Sequence, residues 1–295
     1  MRREISEAVA LLGKNEPQAL EQALALLQNT VFSFSMKVCG QREDAEDTMQ
    51  EVLVKAMPYL SKFESPRALL VWLYKVAKNR CLMSRRKSKF APLKNLSLDE
   101  LMPDRRELAR LAQERPINPE AMAIRSQQAR RLREAIQELP PQYRIVLVLR
   151  DMERLTDEEV SDITGLRAGT IRVRLHRARL FVRQKLVRQN LETRAAKKSR
   201  PQTIQTQVVT PHKRTASCKA LFAQLSNYLE ERLDDSVCEK LEQHLGNCQP
   251  CAAFLDSLES TIKDLRKLPA HSLNKEAAAK VRKQVLSRSP NPLEM

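Results

Sequence analysis

Apolar residues recur every three or four positions from residue 1 to about 90, a spacing that predicts a series of amphipathic helices. Within it, Glu43-Asp44-Ala45-Glu46-Asp47 opens a helix running to about Ala56. Met49, Val52, Leu53 and Ala56 fall on one side. Asp44, Asp47 and Glu51, at i, i+3 and i+7, share an acidic stripe on the other. Acids in a first turn complement the helix dipole. The stripe reads either as a solvated face or as a docking strip for a basic protein surface. Phe63-Glu64-Ser65-Pro66 breaks the pattern, and residues 67–89 resume it with Leu69, Leu73, Val76 and Ala77 facing inward. Trp72, the single tryptophan, is a core candidate. Lys75, Lys78, Asn79 and Arg80, then Arg85, Arg86, Lys87 and Lys89, make one side and the end of this helix basic. That is a candidate nucleic-acid surface, though a basic helix end also offsets the dipole. Pro92, Pro103, Pro116 and Pro119 mark 91–125 as a linker with a short helix inside.

The pattern changes character over 126–191. Thr156 stands three residues before Glu159, the capping-box spacing, and Val160 and Ile163 give a short apolar stripe. Gly165 is placed to end that helix in the left-handed conformation. The next helix, from about Ala168 to Val187, buries Ile171, Leu175, Ala178 and Val182. Arg172, Arg174, Arg177, Arg179 and Arg183 fall on its remaining faces. A capped helix, a tight turn and an arginine-bearing helix are how a helix enters the DNA major groove. The guanidinium fork grips phosphate or the guanine edge in a bidentate way. Arg167, Thr170, Arg172, Val173 and Arg174, near the helix start, are the expected base readers. Arg177 and Arg179 are the expected phosphate contacts, which position without reading sequence. A solvated arginine face in a helical bundle is the plainer alternative.

Composition agrees with an all-α chain: 295 residues, 5 glycines and 4% aromatics. The net charge of +16 favours an anionic polymer as partner. No apolar run approaches the ~20 residues that span a bilayer, and the N-terminus lacks a signal-peptide core, so a cytoplasmic location with reduced thiols is expected. No catalytic carboxylate pair, nucleophile elbow or phosphate loop is visible, and enzymatic activity is not expected. Residues 192–215 are polar and basic, with the composition of a flexible tether.

The remaining cysteines change the picture at the C-terminus. Leu221, Leu225, Tyr228 and Leu229 give one amphipathic helix, Asp234-Asp235 a turn, and Val237, Leu241 and Leu245 the next. Folded antiparallel, the two bring the chain back beside Cys218. His244 and Cys248 share a helix face, and Cys251 follows through a Cys-x-x-Cys turn. Cys218, His244, Cys248 and Cys251 can converge as a tetrahedral Cys₃His zinc site. A metal-free Cys-x-x-Cys redox pair, or four unrelated residues, are the alternatives. Cys238 lies off that face and is left out as a ligand. Cys39 and Cys81 are read as buried core thiols. Residues 216–268 carry six Lys+Arg against nine Asp+Glu, so an acidic module is tethered to a basic chain. Residues 269–295 read as a fraying tail.

Three blocks in order resemble a bacterial RNA polymerase sigma factor of the extracytoplasmic-function type: REDAEDTMQEVLVKAM, FESPRALLVWLYKVAKNRCLMSRRK, and the stretch from Leu139 to Leu186. The resemblance covers roughly residues 20–190. It implies a domain two over 1–90, with Asp44, Asp47, Gln50 and Glu51 on core RNA polymerase. It implies that Phe63, Glu64, Ser65 and Arg67, with Trp72, Asn79, Arg80, Arg85 and Arg86 behind them, take the melted minus-ten strand. It implies a domain four over 126–191, with Arg167, Thr170, Arg172, Val173, Arg174, Arg177 and Arg179 on the minus-thirty-five element. Leu69, Arg167 and Ala168 depart from the family's usual aromatic, Ser and Pro. The segment 216–268 resembles a zinc-binding anti-sigma domain, which in that family packs between sigma domains two and four and blocks polymerase. Fused here, it implies autoregulation by intramolecular docking at high effective concentration. An operator-binding helix-turn-helix regulator is the competing reading, and a zinc-bearing scaffold a third. The strips Asp44–Glu51 and Phe63–Arg86 would have no use in a simple regulator.

Overall fold

The computed structural model describes residues 3–14, 16–84, 95–103, 107, 121–197 and 216–288. Among them the chain is helical and no strand occurs. Arg85, Arg86, much of the 91–125 linker and residues 198–215 of the tether lie outside the described residues.

The helices are α1 (Arg3–Leu12), α2 (Pro17–Cys39), α3 (Arg42–Ala56), α4 (Pro66–Ser84), α5 (Leu98–Leu101), α6 (Ala121–Glu138) and α7 (Pro141–Leu147). They continue with α8 (Asp157–Thr164), α9 (Ala168–Lys197), α10 (Ala216–Leu229), α11 (Asp235–Asn247), α12 (Gln249–Lys267) and α13 (Lys275–Arg288). Two compact units share them: one takes Met1–Leu93, Arg144–Ile171 and Leu268–Met295, the other Lys94–Tyr143 and Arg172–Lys267.

In the first unit α2 is the central helix. Pro17 sits in its first turn, where a missing N–H costs nothing. Gly40, at φ 82°, ends it by returning its N–H to the Met36 carbonyl. Leu24, Leu27, Val31 and Phe34 are buried, and α1, α3 and α4 pack around them. Phe34 stacks on Tyr74 of α4 at 4.2 Å between ring centroids. A 3₁₀ turn, Met57–Lys62, links α3 to the break before α4. The helix α8 packs on α4, and α13 packs on α2 and α3. The sequence reading made residues 269–295 a tail, yet Lys275–Arg288 forms a helix with Val281 and Val285 buried. Its few apolar residues give a weak periodic signal, and the surface it meets supplies the burial that makes it stable.

In the second unit, α10 and α11 form the expected hairpin, and α12, a helix the spacing did not single out, packs against both. Phe222 of α10 meets Phe254 of α12 edge-on at 4.7 Å. Gln128 of α6 donates to Asp264 of α12 at 2.7 Å.

Candidate nucleic-acid interface and metal centre

The acidic stripe of α3 lies largely where the sequence places it. Asp47 is exposed, while Asp44, Gln50 and Glu51 are half-buried. Glu51 is engaged on both sides: Lys55 donates to it at 2.7 Å, and Arg80 of α4 approaches it at 2.7 Å. The Lys55 hydrogen bond first, and the charges of Arg80 and Lys55, hold Glu51 below its ordinary pKa against the opposing effect of burial. Glu51 and Arg80, assigned to different partners on the sequence, are thus one ion pair.

Before α4, Phe63 packs at 6.0 Å from Trp72, ring to ring. The pair is half-buried and forms an aromatic floor beside exposed Glu64, Ser65 and Arg67. Ser65 lies at the N-terminus of α4, where its hydroxyl faces the Ala68 N–H at 3.5 Å. Asn79 is exposed on the same helix. Two cations of α4 meet α8: Arg67 lies 3.5 Å from Glu159, and Lys78 donates to the Ile163 carbonyl at 2.8 Å. Burial, and then the charge of Lys75, lower the pKa of Lys78.

The capping box on α8 forms as the spacing predicts. The Glu159 N–H donates to the Thr156 hydroxyl at 3.2 Å, and the Thr156 N–H donates to the Glu159 carboxylate at 2.8 Å. Gly165 takes φ 74°. Arg167 just before α9, and Thr170, Arg172 and Val173 near its start, are exposed, and Arg174 and Arg177 half-buried. Val173 is exposed apolar surface with no core to enter.

Arg179 corrects the sequence reading. It was placed on a phosphate-facing side, but its side chain is 1% exposed and lies 2.7 Å from Glu230. Arg183 is as deeply buried. It donates to Glu107 at 2.6 Å and stacks on the Phe254 ring at 3.7 Å, a cation–π contact. His176 Nδ1 lies 2.8 Å from the Ser226 hydroxyl. The hairpin and α12 cover this stretch of α9, so charge alone misplaced the exposed face. Burial, then the charge of Arg179, push the pKa of His176 down to about 4. At neutral pH it is an uncharged packing residue. The unfolded chain takes up a proton near pH 6.5, and the folded chain does so only near 4. Stability contributed here is therefore present above about pH 6.5 and lost as pH falls toward 4, by up to ~3 kcal/mol. Thermal melts over that window should show the loss, and His176→Asn should flatten it; an unchanged pH slope in the variant counts against this origin.

The C-terminal cluster assembles from three helices. Cys218 lies in α10, His244 in α11, Cys248 caps α11, and Cys251 sits in the first turn of α12. Their donor atoms all lie within 4.8 Å of one another. Cys218 Sγ is 3.7 Å from His244 Nε2, His244 Nε2 is 3.4 Å from Cys251 Sγ, and the two sulfurs are 3.9 Å apart. A tetrahedral ion with bonds of about 2.3 Å to sulfur and about 2.0 Å to nitrogen sets its ligands about 3.5–3.8 Å apart. Cys218, His244 and Cys251 therefore stand near the spacing of a tetrahedral metal site, with Cys248 Sγ within 4.8 Å of all three donor atoms. Burial first, and then the neighbouring Cys248 and Cys218 thiols, raise the pKa of Cys251 far above that of a free thiol. A bound cation reverses that balance by pairing with thiolates. Cys238 stands apart, near the Leu233 carbonyl at 3.9 Å.

Sequence reasoning missed a buried polar node in the first unit. Glu153, its carboxylate 1% exposed, accepts from Lys37 at 2.6 Å and from the Tyr74 hydroxyl at 2.7 Å. Beside it Arg144 donates to the Val38 carbonyl at 2.9 Å. The available signal was Lys37 itself, a cation inside a run of α2 that is buried nearly all round. Sequence reasoning also took Cys39 and Cys81 for separate thiols; they are joined as a disulfide.

Comparisons with known proteins fall on the same elements. Residues 24–90 match Sigma-70 region 2, and residues 129–182 match Sigma-70, region 4. Both stretches end before Cys218. The ECF RNA polymerase sigma factor SigE of Mycolicibacterium smegmatis is 30% identical over 164 residues, 55% of this chain and 60% of that protein. The ECF RNA polymerase sigma factor SigW of Bacillus subtilis is 24% identical over 184 residues, 62% of this chain and 96% of that protein. A solved structure of the sigma factor RpoE with the anti-sigma factor NepR from Bartonella quintana shares 20% identity. It covers 58% of this chain and 98% of that one at a TM-score of 0.41, too loose a likeness to carry an argument. No helix among the described residues is long and apolar enough to cross a membrane. The region 2 match thus takes in α2, α3 and α4 and the region 4 match takes in α7, α8 and the first half of α9, and over these two stretches the chain is similar to extracytoplasmic-function sigma factors of the sigma-70 family.

Proposed function

We propose that this chain binds core RNA polymerase, directs it to a set of promoters, and carries its own zinc-dependent regulator. The observation that carries the reading is the presence, in order, of region 2 and region 4 in one chain. Asp44, Asp47, Gln50 and Glu51 supply the polymerase contact. Phe63, Trp72 and the exposed residues around them receive a base unstacked from the melted strand, which costs a few kcal/mol and needs an aromatic pocket. Asn79 and Arg80, with Arg85 and Arg86 beyond them, back that strand. Arg167, Thr170, Arg172, Val173, Arg174 and Arg177 read and hold the upstream element.

Zinc on Cys218, His244, Cys248 and Cys251 holds α10, α11 and α12 together. Two sets of contacts support a regulatory role. Glu230, Ser226 and Phe254 engage Arg179, His176 and Arg183 of α9. The basic helix α13 packs on α3, which bears the acidic stripe, and places Arg282 3.8 Å from Glu21 of α2. Both would keep sigma surfaces occupied until a signal releases them, with thiol oxidation or metal exchange as candidate signals.

The test is reconstitution with core polymerase, followed by run-off transcription. The full chain should co-purify with polymerase, and a chain ending at Lys197 should raise promoter-specific transcripts at least about tenfold, the scale of ~1.4 kcal/mol in a closed–open equilibrium. Equal output from both, unaltered by a zinc chelator or oxidant, removes the regulatory half. If neither chain binds polymerase, the whole reading falls.

A further inference from the structure

We propose that Cys39 and Cys81 form a reversible dithiol–disulfide site inside region 2, a second thiol centre separate from the Cys/His cluster. The two cysteines come from helices far apart in sequence. Cys39 is the last residue of α2, and Cys81 lies in the last turns of α4. Their Cα atoms are 5.2 Å apart and their sulfurs are bonded. That separation is within the range a disulfide spans without moving the backbone. Both residues are almost fully buried, 0% and 1% exposed. The buried Thr48 hydroxyl of α3 lies beside both sulfurs, at 3.8 Å from Cys39 and 3.9 Å from Cys81. Three helices therefore meet at one sulfur pair. The residue after Cys39 is Gly40, whose left-handed backbone turns the chain into α3.

The chemistry balances with a peroxide as oxidant. One thiolate attacks a peroxide oxygen, the O–O bond breaks, and a sulfenic acid and one water form. The second thiol attacks the sulfenic sulfur, makes the S–S bond and releases a second water. One peroxide is reduced and two thiols are oxidised. A dithiol reductant restores the thiols by exchange through a mixed disulfide.

The bond staples α4 to the end of α2, one residue from Arg80 and two from Asn79. Oxidation closes a loop of sequence separation 42, which removes freedom from the unfolded chain. It also pins the end of the helix on which the minus-ten assignments sit. That last consequence rests on the sigma-factor reading; the bond itself does not.

The experiment treats the full chain with hydrogen peroxide or dithiothreitol. Remaining thiols are then blocked in denaturant, and the proteolytic peptides are mapped by mass. The oxidised sample should yield a Cys39–Cys81 linked peptide, two hydrogens lighter than the thiol pair, that disappears with dithiothreitol. It should also melt at least about 5 °C higher than the reduced chain, with slower amide exchange in α4. Cys81→Ser should abolish the linked peptide and the difference between the two states. If both cysteines are alkylated after peroxide, or if Cys39 links to a different cysteine, the proposal is overturned. Should Cys81→Ser fail to fold, the wild-type comparison of oxidised and reduced samples still decides. The peptide map is independent of polymerase, so its failure and that of the sigma-factor reading are read separately.

Discussion

Glu153→Ala should cost the first unit about 3–5 kcal/mol of stability, the scale of breaking a buried ion pair by removing one partner. Two groups lose an acceptor at once: the Lys37 ammonium, 5% exposed, and the Tyr74 hydroxyl, which donate to the carboxylate at 2.6 and 2.7 Å. The ammonium is the more costly, because removal of its counter-charge leaves a cation in a low-dielectric interior. Glu153→Gln keeps the shape and an acceptor for Tyr74, so it isolates the charge and should recover only part of the loss. Lys37→Met with Glu153→Leu removes both charges and should be far milder than either single truncation, since well-packed apolar pairs often replace buried ion pairs at little cost. Urea unfolding of wild type, Lys37→Met, Glu153→Leu and the doubly substituted chain closes a double-mutant cycle on the pair. A Glu153→Ala midpoint within error of wild type, or strict additivity of the two sites, would remove the node from the account of stability. The node lies between α2 and α4 of region 2 and the turn that leads into α8. Its weakening should therefore also raise protease sensitivity near Arg154, which holds φ 58° in that turn.

What the sequence disclosed and what it hid follow from how far each signal reaches. The capping box of Thr156 and Glu159, the left-handed Gly165 and the buried face Ile171, Leu175, Ala178 and Val182 are local rules, satisfied within a few residues of chain. The Cys/His cluster was legible because helical spacing and the length of a hairpin together decide which residues return to one place. Arg179 and Arg183 were not legible as buried. A helical wheel treats arginine as exposed, and only the arrival of Glu230, Glu107 and Phe254 from distant chain makes their burial tolerable. The Lys37–Glu153 pair spans 116 residues of sequence, and no period connects its members. A cation in the densely buried half of α2 announces that an acid must exist, but not which one. A separation of 42 residues likewise hid the Cys39–Cys81 bond. The helix α13 was missed for the converse reason: its own apolar content is small, and its order depends on the surface of α2 and α3.

Purified full-length chain should hold one zinc ion, and Cys251→Ser should hold none. Three of the donors already stand 3.4–3.9 Å apart and all four lie within 4.8 Å, so binding draws them in only slightly, and it relieves the raised pKa of Cys251. In a closed structural site the metal's binding energy is folding energy, on the order of 10 kcal/mol for zinc in small domains. Net stability of a domain is itself only about 5–15 kcal/mol. Loss of the ion should thus unfold α10, α11 and α12 as a group and not merely loosen a turn. His244→Ala should behave as Cys251→Ser does, while Cys238→Ser, whose sulfur lies outside the cluster, should keep its zinc and its helices. Metal content by elemental analysis, with helicity by circular dichroism before and after chelation, reads both effects. Because Glu230 and Phe254 come from this hairpin and α12, chelation should also return Arg179 and Arg183 to solvent. That exposure should appear as tighter, more salt-dependent binding to DNA, since each phosphate newly neutralised steepens the dependence of log K on log salt by about 0.9. Wild-type chain that binds no zinc, or a Cys238→Ser chain that loses it equally, would sink the assignment. Metal loss without any change in DNA binding would instead leave a structural zinc site that plays no part in freeing α9.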